Sequence, residues 1–331
     1  MSKFLFISLF FIYTGYLNAK NIDKLVWPEA PDKARIEFVK IATNPADFEV
    51  EKGFFSKIFD FVVGEESITL SSPFGIYAKK QRVYVTDATS KNVYIFDKSE
   101  DETIIIEGSD KEIFLNPIDV VCDSKGKIYI SDSIRAKIYV FKRDGEFDYA
   151  ISSKFFKRPV GIAVNYDENK LYIVDAVASQ IHVTTLKGKF LYSIGGFGNG
   201  DGEFNRPTFI AKDVIGNIYV TDSMNHRVQV LNKEGKYLYK FGHLGKSIGS
   251  FASPRGIALD KNNNIYVSDT MFNNIQIFNK KGELLMVFGG YGNAKGRFSL
   301  AEDIYILENG TIYITDTSNK RVQIFKLLDI D

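Results

Sequence analysis

Along most of the chain, apolar and polar positions alternate with a period of two, in short runs bounded by Gly, Asn and Asp. Residues 206–242 show this most cleanly. Apolar runs occupy 209–212, 217–221, 227–231 and 237–241. The connections are Val214-Ile215-Gly216, Ser223-Met224-Asn225-His226 and Asn232-Lys233-Glu234-Gly235. Alternating β-branched and aromatic residues between turn formers predict strands joined by hairpins, here a four-stranded antiparallel meander. A lone meander cannot bury both faces, so it requires copies of itself on either side.

Those copies are present. A Tyr-Ile/Val-x-Asp element ends at Asp87, Asp132, Asp175, Asp222, Asp269 and Asp316, with spacings of 45, 43, 47, 47 and 47 residues. A first strand precedes each element and opens with Pro73, Pro117, Pro159, Pro207 and Pro254; Ala301 takes that place in the last copy. A third strand follows each element: VYIF, IYVF, IHVT, VQVL, IQIF and VQIF. A period in the forties with four strands per copy is the pattern of a β-propeller. Six copies predict an all-β, six-bladed propeller of four-stranded antiparallel blades. The sixth copy stops after its third strand, and residues 35–42 alternate with no partner nearby. They are expected to supply the missing outer strand and close the ring, which removes an exposed edge.

Other segments break the pattern. Residues 45–70 lack strand alternation, and Phe54, Ile58 and Phe61 fall at helical spacing between Gly53 and Gly64. This predicts a short apolar-faced helix, inserted before the first blade on the face we call the top. The top carries the turns that follow the marker aspartates and the loops that lead into each first strand. Residues 20–34, with Pro28 and Pro31, read as an extended linker, and 35–331 as one propeller domain. At the start, Lys3, a following apolar run and Ala19 match a secretory signal peptide over 1–19. Removing it takes away one positive charge and brings the formal net charge from +1 to 0. No other long apolar segment follows, so no transmembrane segment is expected after cleavage.

Composition supports this picture. Of 331 residues, 45% are hydrophobic and 14% aromatic, enough for a large core rich in Phe and Tyr. The near-neutral charge argues against a nucleic-acid partner. Cys122 is the single cysteine, so the chain forms no internal disulfide, and its strand setting marks a buried thiol. Export without disulfides suits a bacterial periplasmic or extracellular protein.

The repeats resemble the NHL family. Copy four over 217–230, copy six over 311–325, and the first strand Pro254-Arg255-Gly256-Ile257-Ala258-Leu259-Asp260 carry the likeness. Copies one to three depart from it, with Asn92, Lys137 and Gln180 where Arg opens the third strand in copies four and six. The resemblance implies the propeller fold and a monomeric ring. It leaves function open, because NHL propellers include protein-binding, RNA-binding and enzymatic members.

The six marker aspartates are expected to be scaffold, capping turns and pairing with Arg227 or Arg321. Positions where the copies disagree are better candidates for function. Just after each opening residue stand Phe74, Ile118, Val160, Thr208, Arg255 and Glu302, expected to ring the channel mouth. The next ring is Gly75, Asp119, Gly161, Phe209, Gly256 and Asp303. With Ile134, Val177, Met224, Met271 and Phe272 in the top loops, the apolar members would form a patch for a protein or peptide partner. Asp119, Glu302 and Asp303 are singular acids. They are candidate ligands for Ca or Zn in the channel, in an alternative reading as a metal-dependent lactonase- or lyase-like enzyme. His182, His226 and His243 fall off the channel strands, which argues against a His-rich zinc site like that of the peptidylglycine amidating lyases. Neither a strand-turn-helix nucleophile elbow nor a Cys-His pair is evident. The sequence therefore leans toward a binding scaffold without catalysis, without a cofactor or a structural metal.

Overall fold

A computed structural model describes residues 24–29, 31–50 and 68–328. Six sheets are arranged around a central channel, each with its first strand innermost. The inner strands are Pro73–Lys79, Pro117–Cys122, Pro159–Asn165, Pro207–Lys212, Pro254–Leu259 and Ala301–Ile306. Each leads outward through second, third and fourth strands, as in blade four with Ile218–Asp222, Arg227–Leu231 and Tyr237–Phe241. The fold is the expected all-β six-bladed propeller.

The ring closes as the alternation of residues 35–42 implies. Ile36–Ala42 pairs antiparallel with Arg321–Leu327, placing Phe38 opposite Phe325. Part of the segment expected as linker also joins the sheet. Val26–Trp27 pairs with Ile36 and Glu37 as a fifth strand. The Trp27 ring lies 5.5 Å from Phe288 in blade five and 5.7 Å from Phe325 in blade six, so aromatic burial ties this segment across two blades. Of the helical insertion expected at 45–70, the described part is a single 3-10 turn, Pro45–Phe48, capped by Asn44. The helix expected over 53–64 lies outside the described residues.

Apolar side chains of the middle strands fill the spaces between blades. Tyr129, Ile130, Ile138 and Tyr139 of blade two pack with Leu171 and Ile173 of blade three in one buried cluster. Cys122 is fully buried there as a free thiol, and burial pushes its pKa up to about 12.

The marker aspartates are fully buried and act as staples. Asp132 accepts bonds from Leu115 N and Asn116 N in the loop leading into blade two, and from Ile134 N and Arg135 N in the turn after its own strand. Asp87, Asp175 and Asp269 hold the same four kinds of amide. In blades four and six the aspartate keeps one backbone amide, from Asn205 or Ser299, and Asn, Arg and Gln side chains take the other contacts. Arg227 reaches Asp222 at 2.8 Å and three loop carbonyls, and Arg321 repeats the arrangement on Asp316.

Replacing Asp132 by Ala strands four amides and is expected to destabilise the protein by about 3 kcal/mol. The exposed control Lys125→Ala should stay within about 0.5 kcal/mol of wild type. Urea unfolding followed by tyrosine fluorescence measures both.

Candidate functional site

The channel wall is shaped by a register shift. In all six inner strands the ladder to the second strand slips just after the opening residue, between Pro73 and Ile76 in blade one and at the equivalent places elsewhere. Two residues per blade thus leave the ladder, and their backbone groups need other partners. Second-strand hydroxyls provide them. Thr86 Oγ1 accepts from Gly75 N and donates to Ile118 O of the next blade. Ser131, Ser268 and Thr315 do the same for their own and the following blade.

The released positions alternate around the ring. Gly75, Gly161 and Gly256 give way to Asp119, Phe209 and Asp303 on the intervening blades. The glycines are required by close approach: a Cβ on Gly75 would lie 2.2 Å from Ile118 O, and one on Gly256 2.6 Å from Asp303 Cα. Three larger side chains therefore share the channel centre.

Two chambers result. The upper one, about 360 Å³, is lined by Phe74, Ile118, Val160, Thr208, Phe209, Met224 and Arg255 among the expected residues. The lower one, about 450 Å³, is lined by Asp119, Phe209 and Asp303 and opens on the opposite face beside Tyr166, Asp213 and Glu308. Phe209 belongs to both walls, and Phe74 stacks near it at 6.3 Å. The other expected residues lie elsewhere. Ile134, Val177 and Met271 are exposed on the surrounding turns with Phe272 beside Met271, outside the lining of either chamber. Glu302 is buried against Arg255, with Oε2 3.8 Å from Nε. The three acids are thus not gathered into one cluster, and among the described residues no group of three His, Cys, Asp or Glu is placed to hold a metal.

Among the described residues, the Asp119 and Asp303 carboxyls are bound only by backbone amides. Asp119 accepts from Val120 N and, across the blade boundary, from Ile162 N, both at 2.8 Å. Asp303 accepts from Ile304 N at 2.8 Å and Ile76 N at 2.9 Å. Burial raises the Asp119 pKa to about 7 against the opposing pull of these amides. Burial also raises Asp303 well above the carboxylate range, and the charge of Asp119 adds to it. Burial thus favours the protonated form of both carboxyls over that of free aspartate, and the charge of each disfavours ionisation of the other. Burial raises Glu302 too, partly offset by the Arg255 guanidinium.

Sequence reasoning missed Arg158 and Arg206, which line the upper chamber. Their signal was an Arg immediately before the opening Pro in blades three and four. It also missed the tyrosines of the lower chamber. Tyr77 and Tyr166 hydroxyls meet at 3.1 Å, and Tyr166 donates to Cys122 O at 3.0 Å. The Tyr305 ring packs 4.7 Å from Tyr77. Neither chamber is lined by a histidine. His182 is buried with Nδ1 bonded to Ser193 Oγ, and His226 Nδ1 meets Ala252 O.

A family described as a 6-bladed beta-propeller matches residues 210–271, and the NHL repeat matches 298–325. The chain is a six-bladed propeller bearing an NHL repeat. No curated protein matches this propeller in sequence. Among solved structures it resembles a streptogramin B lyase with 16% identity and a TM-score of 0.60, over 79% of this chain and 95% of the lyase. It resembles a catalytically inactive histidine-to-alanine variant of virginiamycin B lyase from Staphylococcus aureus, bound to quinupristin, with 15% identity and a TM-score of 0.58, over 78% and 95% of the two chains. An auxiliary nutrient binding protein from Bacteroides thetaiotaomicron matches with 14% identity and a TM-score of 0.62, over 78% and 70%. At these identities the likeness is one of fold.

These matches correct the leaning toward a protein without catalysis. The propeller fold, matched over 78–79% of this chain, is that of lyases as well as of a binding protein. Residues 245–249 spell GxSxG but lie in a blade loop with no helix after them, and the lack of such an elbow or of a Cys-His pair does not make the chain a passive scaffold.

The raised carboxyls carry a stability signature. An acid whose folded pKa exceeds its unfolded value supports the fold fully below the unfolded pKa, and that support is lost as pH rises through the folded pKa. For Asp119 the window runs from 3.8 to about 7. Over this range the Asp119→Asn, Asp303→Asn double variant should gain stability relative to wild type by up to about 1.4 kcal/mol per pH unit per carboxyl. Urea unfolding at stepped pH measures the difference.

Proposed function

We propose that this propeller is an exported channel enzyme of the lyase type, with Asp119 and Asp303 as its acid–base pair. The observation that carries the reading is the pair itself: two buried carboxyls with raised pKa on one chamber wall, without a cationic side chain bonded to either. Such a pair keeps one carboxyl ionised and the other protonated near neutral pH, the division a general base and a general acid require. In an elimination, the ionised carboxylate takes a proton from carbon and the C–H electrons form the new double bond. The bond to the leaving group breaks, and the protonated carboxyl delivers its proton to the departing oxygen. The two carboxyls end with their protons exchanged, so atoms and electrons balance without a co-reactant. The apolar wall of Ile76, Val120 and Ile162 packs around the two carboxyls, and both aspartates are buried in it. A divalent cation beside this pair would meet two carboxylates and would need main-chain carbonyls or water to complete its shell, since among the described residues no three acids are gathered to hold one.

A second reading concerns the top face. Exposed Ile134, Val177, Met224 and Met271 support recruitment of a protein or peptide partner. Both readings place the protein outside the cytoplasm on the strength of its leader sequence, and among the described residues no helix is long and apolar enough to cross a membrane.

A panel of esters and lactones able to eliminate, quinupristin included, tests the first reading by ultraviolet absorption of the new double bond. Turnover should be greatest near neutral pH and fall about 100-fold or more in Asp119→Asn and in Asp303→Asn. Undiminished turnover in both variants, or products without a new double bond, would contradict it. For the second reading, Met271→Asp should abolish crosslinking to an envelope partner while leaving thermal unfolding unchanged.

A further inference from the structure

The upper chamber combines two properties that rarely coincide by packing alone. Its floor is apolar, built from Phe74, Ile118, Val160 and Phe209, and its rim carries Arg158, Arg206 and Arg255 from three successive blades. No protein acceptor bonds to any of the three guanidinium groups among the described residues. Arg158 and Arg206 have no carboxylate partner. Arg255 faces Glu302 at 3.8 Å, outside hydrogen-bond reach, and its Nε and Glu302 Oε2 are both buried and unpartnered. This contrasts with Arg227 and Arg321, whose forks are fully committed to Asp222, Asp316 and loop carbonyls.

Two of the three hydroxyls that line the chamber are also committed, Ser253 being the exception. Thr208 Oγ1 meets Thr221 and Ser223, and Ser223 donates to Pro254 O. Apart from Ser253 Oγ, the free recognition groups are cationic forks over a greasy floor. Guanidinium forks match planar carboxylates in two-point fashion, and the floor offers nothing to a second polar end. The volume of about 360 Å³ is at the small end of ligand chambers.

We propose that the upper chamber is a binding site for a small carboxylic acid with an apolar body, its carboxylate held by Arg158, Arg206 and Arg255 and its body on Phe74 and Phe209. The site stands apart from the carboxyl pair below Phe209 and does not depend on the acid–base reading. The same chemistry has two sources, a free acid or the C-terminal carboxylate of a peptide ending in an apolar residue.

Isothermal titration calorimetry on the full chain tests this with 3-phenylpropionate, its amide, inorganic phosphate, and an acetylated tripeptide ending in Phe as free acid and as amide. The acid should bind at least about tenfold more tightly than its amide, the size expected of one charge-assisted contact. Binding should weaken with added salt. The Arg158→Gln, Arg206→Gln double variant should lose about tenfold or more, whereas Asp119→Asn should leave affinity unchanged. Both arginines are exposed, so thermal unfolding of the double variant should match wild type. Tighter binding of the peptide acid identifies a peptide terminus as the source; tighter binding of 3-phenylpropionate identifies a free acid. Equal affinity for acid and amide, unchanged affinity in the double variant, phosphate binding as tight as the acid, or no binding of any probe would overturn the proposal.

Discussion

The channel depends on the slip in each inner strand. A regular ladder would leave the first strand's residues alternating between neighbouring blades, with few of them aimed at the axis. The slip frees two residues per blade to face inward, and it persists because hydroxyls at Thr86, Ser131, Ser268 and Thr315 satisfy the displaced backbone groups. Each of these hydroxyls also donates to the next blade, so one side chain shapes the wall and joins two blades. Blade three has Val174 at that position and lacks the hydroxyl. Blade four instead gathers Thr208, Thr221 and Ser223 into one network.

Close approach between inner strands adds the second constraint. Where one blade presents Gly, its neighbour's backbone comes within contact, and the neighbour alone can carry a large side chain. Six blades thus supply three central side chains, and the chain places Asp, Phe and Asp there. Phe209 divides the channel, which separates an arginine-rimmed upper chamber from a lower chamber that holds two acids. Burial without a countercharge then fixes the protonation of those acids.

Strand number, blade number and closure were legible in the sequence because each is repeated, and repetition averages out local ambiguity. The closing strand was legible from a deficit, one strand missing in the last blade and one in excess at the start. The docking of Val26–Trp27 was not, since two residues beside prolines carry no period; its cause is the aromatic burial of Trp27 between blades. The rings of channel residues could be written down from their offset after the opening Pro. Their division between two chambers could not, because it depends on the slip and on the size of Phe209. Glu302 groups with Asp119 and Asp303 as a candidate metal ligand, yet its offset in sequence already puts it in the mouth ring beside Arg255, where the structure has it. Arg158 and Arg206 were hidden because the position before the opening Pro looked like loop.

The central claim is that Asp119 and Asp303, both buried in the wall of the lower chamber, share a proton near neutral pH. Carbon-13 chemical shifts of the aspartate carboxyls, followed from acid to alkaline pH in wild type and in each Asn variant, test it most directly. The account predicts two coupled titrations above the ordinary carboxylate range, with the remaining carboxyl titrating lower when its partner is neutralised to Asn. Both carboxyls fully ionised at pH values well below neutral, or titrations indifferent to loss of the partner, would contradict it.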